Sequence, residues 1–487
     1  MNIRFIVCGT IIGVGVLASN VEALDIYATG SSSALRLIRD LPLSVCDNAW
    51  PITHFESSDR NMQLLQCRFS GVDINFHYSA RGSADGVYPV DDHTGGPRSK
   101  GQYNGKGAFA FIKHSNPAIS GCGVTVPVSK TFYDVDSASV ITQVIQENST
   151  CINPPKSNNV DWSPFLYDQV PTHFGFSDVQ FTSFGQVSPG GSEPADPAPN
   201  VTEHRLMVVP FSIVVQNSVR RVDAAGNNIG PIHNLTQTQI EQIFSRRVRD
   251  WKELGYAVTN DLAGTQAVPS GPHTIRLCLR EYGSGAKAAF DNVLMKEEAD
   301  EWSVTTSATV FYSAANSDVR DCMNDVPGYG VGLYGKIGYI DSFLATGTPA
   351  YITPSVAGTM IWAHPVSING FRGVDATVTD PVKATARPKV LKGLRCGHTE
   401  FWTNLEAYTK TAGTGDVVRD SFIARMVSDA QNTAVIENLP ANWAFEAPAY
   451  MLAFKAEDRS APDHDNYLGR AAEYDSQCRG FYASPNP

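Results

Sequence analysis

An α/β fold built on parallel-rich sheets is what this sequence predicts, and three local patterns carry the prediction. Leu24 to Thr29 is a short apolar strand that runs into Ser31-Ser32-Ser33, after which Ala34, Leu37, Ile38 and Leu41 fall at helical spacing. Val72, Ile74, Phe76 and Tyr78 alternate with polar residues and stop at Ser79-Ala-Arg-Gly-Ser83-Ala-Asp85-Gly86. Ile275, Leu277 and Leu279 alternate up to Gly283-Ser284-Gly285, which opens a helix with Ala286, Ala289, Phe290 and Val293 on one face. Strand, Gly/Ser turn and helix in repetition mean parallel sheets, with ligands gathered at the carboxyl ends of strands.

Composition agrees with a folded chain. Of 487 residues, 42% are apolar and 18% charged, which excludes disordered, collagen-like and coiled-coil proteins. Nothing repeats at a period of about 20 to 50 residues, so a solenoid or propeller is not expected. With 38 Lys and Arg against 49 Asp and Glu the net charge is −11, without long single-sign runs. There is no basic footprint for nucleic acid or anionic lipid, and any bound anion must be caught by a local site.

Along the chain, Phe5 to Leu17 is an apolar run behind Arg4, and Val21-Glu22-Ala23 places small residues at cleavage-setting positions. This pattern predicts a signal peptide over residues 1–23, cut after Ala23, and a periplasmic or secreted protein without a lipid anchor. Eight cysteines then remain: Cys46, Cys67, Cys122, Cys151, Cys278, Cys322, Cys396 and Cys478. An even count in an exported chain points to disulfides, and without CxxC or HExxH spacing no metal is expected. About 105 pairings are open, of which sequential pairing closes loops of moderate length. Residues 91–163 lack clean periodicity and read as an insertion, and the Pro/Gly-rich stretch 186–200 reads as a loop. Leu206 to Val215 is a buried strand by its unbroken apolar run. Thr236 and Gln239 form a capping box for a short helix with Ile240, Ile243 and Phe244 inward, ending near Ser245.

The chemistry lies in the turns. Each places Ser hydroxyls and free backbone N–H groups at helix N-termini, the first as a serine-capped helix, where an anion is favoured. Taken singly, a Ser there is ordinarily a helix cap. Arg280, four residues before Ser284, adds a fork that can hold an oxyanion. Gly101-Gln-Tyr-Asn-Gly105-Lys106-Gly107 is one residue short of a phosphate loop, and no GxSxG nucleophile elbow exists. Trp251, Trp362 and Trp402 read as packing residues.

These segments resemble the phosphate-binding proteins of bacterial ABC transporters and their DING-type relatives. The resemblance is carried, in the family's order, by Thr29 to Ala34, Tyr78 to Gly86, Phe174-Gly-Phe-Ser-Asp178, Leu235 to Trp251, Arg280 to Phe290, Val326 to Asp341 and Ser367-Ile-Asn-Gly370. It implies a type 2 periplasmic-binding-protein clamshell. Domain 1 would comprise 24–205 plus 366–487, domain 2 would comprise 206–365, and the crossings would lie near Leu206–Val215 and Tyr351–Pro365. It further implies inorganic phosphate in the cleft, held by Ser32, Ser33, Ser83, Asp178, Arg280, Ser284, Gly285 and Ala286. Asp178 would accept the proton of hydrogen phosphate, which sulfate lacks. Here Ala286 stands where a Thr is usual, Ser32-Ser33 where Thr-Phe is common, and Asp85 where a small residue is usual; Asp85 is expected to turn outward toward Arg81.

The leading functional expectation is therefore a monomeric solute-binding protein, without cofactor or catalytic residues, that captures phosphate for an ABC transporter. A secreted or surface interaction protein reusing the phosphate-binding fold and a DING-type secreted phosphatase are the alternatives. Against the latter, no nucleophile with an adjacent base and no two-metal cluster is legible.

Overall fold

The computed structural model describes residues 23–57, 61–80, 82–90, 111–112, 122–151, 172–180, 200–280, 283–295, 308–313, 315–327, 332–342, 362–371, 391–397, 399 and 401–439. The first half contains β1 (Leu24–Gly30), α1 (Leu35–Asp40), α2 (Pro42–Val45), β2 (Thr53–Ser57), β3 (Met62–Phe69), β4 (Val72–Ala80), β5 (Val126–Asp134), β6 (Ser139–Cys151) and β7 (Phe174–Ser177). The long strand β8 (Val201–Gln216) follows, then β9 (Val219–Val222), β10 (Asn228–Pro231), β11 (Asn234–Leu235), α3 (Gln237–Phe244), β12 (Tyr256–Val258), β13 (Arg276–Arg280) and α4 (Gly285–Val293). Next come β14 (Val310–Ser313), α5 (Asn316–Met323), β15 (Lys336–Asp341), β16 (Ala363–Ile368), α6 (Lys392–Arg395), β17 (Trp402–Lys410), α7 (Val417–Gln431) and α8 (Thr433–Asn438). Residues 1–22, within the segment read as a signal peptide, Arg81, the Gly101–Gly107 segment, residues 343–361 and Cys478 lie outside the described residues.

The fold is α/β, with one mixed sheet running β14-β13-β15-β8-β17-β7-β1-β4-β3-β2-β6-β5 among the described residues and helices packed on it. Two parallel groups sit inside it: β1 between β4 and β7, and β13 between β14 and β15. β8 joins them. Over Val201–Pro210 it pairs antiparallel with β17, and from Phe211 onward with β15 and β16. Leu206 to Phe211 and Ile213 to Val215 are buried, as a strand covered on both faces requires.

Local chemistry explains several elements. The capping box of α3 forms as read, with Gln239 N–H donating to Thr236 Oγ1 at 3.1 Å and Thr236 N–H to Gln239 Oε1 at 2.9 Å. Trp251 is core, its indole N–H donating to the Gly335 carbonyl at 3.0 Å. On α4, Ala286, Ala289 and Phe290 are buried, and Phe290 stacks on Tyr339 with ring centroids 4.3 Å apart.

Two expectations are corrected. The serine turn after β1 does not cap α1: the N-cap is Ala34, with no side-chain cap, and Ser31 Oγ instead accepts from Ser33 N–H at 2.9 Å. Part of the segment read as an aperiodic insertion is the regular hairpin β5–β6, which extends the sheet through parallel pairing of β6 with β2. Its strands are largely exposed, with Phe132 and Ile145 turned into the core, so no apolar alternation marks them.

Disulfides join Cys46 to Cys67, Cys122 to Cys151 and Cys278 to Cys322, in sequential order; Cys396 is also disulfide-bonded. The third ties β13 to α5. No helix among the described residues is long and apolar enough to cross a membrane.

Where β1 and β7 pass the turn after β4, the backbones touch. A Cβ on Gly175 would stand 2.1 Å from the Gly86 carbonyl oxygen, and one on Gly86 2.1 Å from the Phe176 carbonyl oxygen. Backbone cannot retreat as a side chain can. Gly175→Ala should therefore lower stability by about 3 kcal/mol, read as a shift in denaturation midpoint; a change below about 1 kcal/mol would contradict this contact.

Candidate functional site

The carboxyl ends of β1, β4, β7, β13, β14 and β15 supply one connected group of polar residues. From the first parallel group come Ser31, Ser32 and Ser33 after β1, Ser83 after β4 and Asp178 after β7. From the second come Arg280 at the end of β13, Ser284 and Gly285 at the start of α4, Asn316 at the start of α5 and Asp341 at the end of β15. These polar side chains are at most 6% exposed. Ligands gather at this edge of parallel sheets because helix N-termini point their free N–H groups there.

Asp178 is the centre of the first set. Ser31 Oγ donates to its Oδ1 and Ser33 Oγ to its Oδ2 at 3.2 Å. Burial raises the Asp178 pKa above the usual carboxylate range, and the hydroxyls of Ser31, Ser83 and Ser33 and the charge of Arg280 pull it only part of the way back. Behind it Tyr78 Oη donates to the Ser31 carbonyl at 2.6 Å and fixes the turn. Burial, with the Asp178 charge nearby, raises the Tyr78 pKa well above its ordinary value.

Arg280 is the cation of the second set, 1% exposed. Its Nη1 donates to Asn316 Oδ1 and its Nε to the Ser313 carbonyl at 3.3 Å. Lys287, on the first turn of α4, pairs with Asp291 at 2.6 Å. Ser284 accepts from Lys287 N–H at 3.4 Å, the ordinary N-cap role. Ala286 is buried in the core and offers only its backbone to the helix start.

The two sets close on each other. Ala84 N–H donates to the Gly283 carbonyl at 2.9 Å, Gly285 N–H to Ser83 Oγ at 3.0 Å, and Asn316 N–H to Ser32 Oγ at 3.2 Å. A Cβ on Gly285 would lie 2.5 Å from Ser83 Oγ and 2.6 Å from Asp178 Cβ, so glycine is what permits this approach. Gly283, at φ +85°, makes the turn before it.

All eight residues read from the sequence, Ser32, Ser33, Ser83, Asp178, Arg280, Ser284, Gly285 and Ala286, lie in or beside this group. Asp85 is 4% exposed, one residue beyond the Ala84 seam, and its carbonyl accepts from Thr29 Oγ1 at 2.6 Å; Arg81, toward which it is expected to turn, lies outside the described residues. Sequence reading missed Ser31, Asn316 and Asp341. Asn316 begins a further strand-to-helix unit, but the turn Ser313-Ala-Ala-Asn316 lacks the glycine that marks the others.

No family profile matches the chain. Among solved structures it is similar to a phosphate ABC transporter substrate-binding protein with bound phosphate from Clostridium perfringens, at 13% identity and a TM-score of 0.39, over 87% of this chain and 99% of that one. It is similar also to PstS from Borrelia burgdorferi, at 12% identity and a TM-score of 0.31, over 87% of this chain and 98% of that one. An ABC-type phosphate transport receptor from Vibrio cholerae is similar at 14% identity and a TM-score of 0.29, over 57% of this chain and 80% of that one.

Proposed function

We propose that this chain binds inorganic phosphate between its two parallel groups, as an exported solute-binding protein that delivers the anion to an ABC-transporter membrane component. The observation that carries the reading is a buried carboxylate, Asp178, joined through serine hydroxyls to the same site as a buried guanidinium, Arg280, and a helix N-terminus, Gly285. A guanidinium and N–H groups suit any oxyanion. A carboxylate suits only one that carries a proton to give it, and hydrogen phosphate does at neutral pH. Sulfate would set its oxygens against Asp178 with no hydrogen between them, at a cost of about 2 kcal/mol or more. No reaction is called for.

Competition against labelled phosphate at neutral pH tests this. Arsenate, with the same shape and proton, should displace the label, and sulfate should fail at about thirtyfold higher concentration. Equal displacement by sulfate would remove the basis for the phosphate reading.

A further inference from the structure

Asn316 is fully buried, and its backbone N–H and both polar atoms of its side chain are engaged. Its N–H donates to Ser32 Oγ at 3.2 Å, its Nδ2 to Ser33 Oγ at 2.9 Å and to Asp341 Oδ2 at 2.8 Å, and its Oδ1 accepts from Arg280 Nη1. One residue thus ties the serine turn after β1 to the guanidinium at the end of β13. The Cys278–Cys322 disulfide fixes α5, and so Asn316, to the same strand that carries Arg280.

We propose that Asn316 is the positioning residue that couples the seam between the two sets to presentation of Arg280, and that it must be uncharged to do so; this rests on the anion-binding reading above. An amide offers two donors and an acceptor without charge. It can hold the serine turn and orient Arg280 without adding a negative charge beside the guanidinium. A carboxylate in its place would grip Arg280 more strongly and add a negative charge to the site, while standing against Asp341.

The test compares Asn316→Ala with the isosteric Asn316→Asp, by phosphate titration and by hydrogen exchange in ligand-free protein. Asn316→Ala should bind phosphate about tenfold more weakly, and Asn316→Asp more weakly still. In Asn316→Ala the amides of Ala84 and Gly285, which donate across the same seam, should lose protection by about tenfold. A merely structural role predicts the opposite order, since Asp keeps both the size and the acceptor. The inference is overturned if Asn316→Ala binds within about twofold of the parent, if Asn316→Asp binds more tightly than Asn316→Ala, or if protection at Ala84 and Gly285 is unchanged. Should the unmodified chain bind no phosphate, the anion-binding reading falls and the charge requirement with it. Should the parent bind and the variants behave as the parent does, the role of Asn316 alone falls.

Discussion

Arg280→Ala should weaken phosphate binding by about a hundredfold or more, because truncating a buried, hydrogen-bonded charge that faces an opposite charge costs about 2–5 kcal/mol. Among the described residues of the site Arg280 supplies the guanidinium, and Lys287 on the neighbouring helix is paired with Asp291. The loss should appear in the dissociation rate more than in the association rate, as for other buried charge contacts. The variant should still unfold cooperatively, because β13 remains paired with β14 and β15 and tied by the Cys278–Cys322 disulfide. Titration with phosphate and a melting curve check both halves. Binding within about twofold of the parent would show that the anion does not meet Arg280.

Asp178→Asn should change selectivity more than affinity. The amide can turn its donor toward the ligand, so sulfate is no longer faced by an unpaired acceptor, and discrimination should shrink by about tenfold or more. Lowering the pH should do the same to the parent protein. Burial raises the Asp178 pKa, with its serine and Arg280 partners only partly opposing. For an acid, a raised pKa means that the protonated, hydrogen-donating form persists at higher pH than for an exposed Asp, which titrates near 4. As pH falls toward that raised value, sulfate should begin to compete in the parent and gain nothing further in Asp178→Asn. A parent that rejects sulfate equally at neutral and acidic pH would contradict the role assigned to Asp178.

Much of this site was legible because glycine and serine mark turns that approach other backbone closely. Gly283 and Gly285 flag the start of α4, and Gly175 and Gly86 the crossing of β7 over the turn after β4, each for a contact no other residue allows. Asn316 escaped because its turn carries no glycine, so that its importance lies entirely in partners more than 20 residues away, from Arg280 to Ser33. The hairpin β5–β6 escaped because polar Lys130, Asp134 and Asn148 are buried beside Phe132 and Ile145 while Val126, Val140 and Val144 are exposed, so no apolar alternation marks its strands. Asp85 is expected to turn toward Arg81 on the premise that a second carboxylate near an anion must turn away, and it is buried in the turn that precedes the seam.

The account stands most directly on a calorimetric titration of phosphate into protein refolded free of ligand, at neutral pH and moderate salt. One anion per chain should bind with a dissociation constant of about 1 μM or tighter, as a desolvated site with a paired guanidinium and helix N-terminus can provide. Absence of binding up to about 1 mM phosphate, in protein whose melting transition shows it folded, would contradict it.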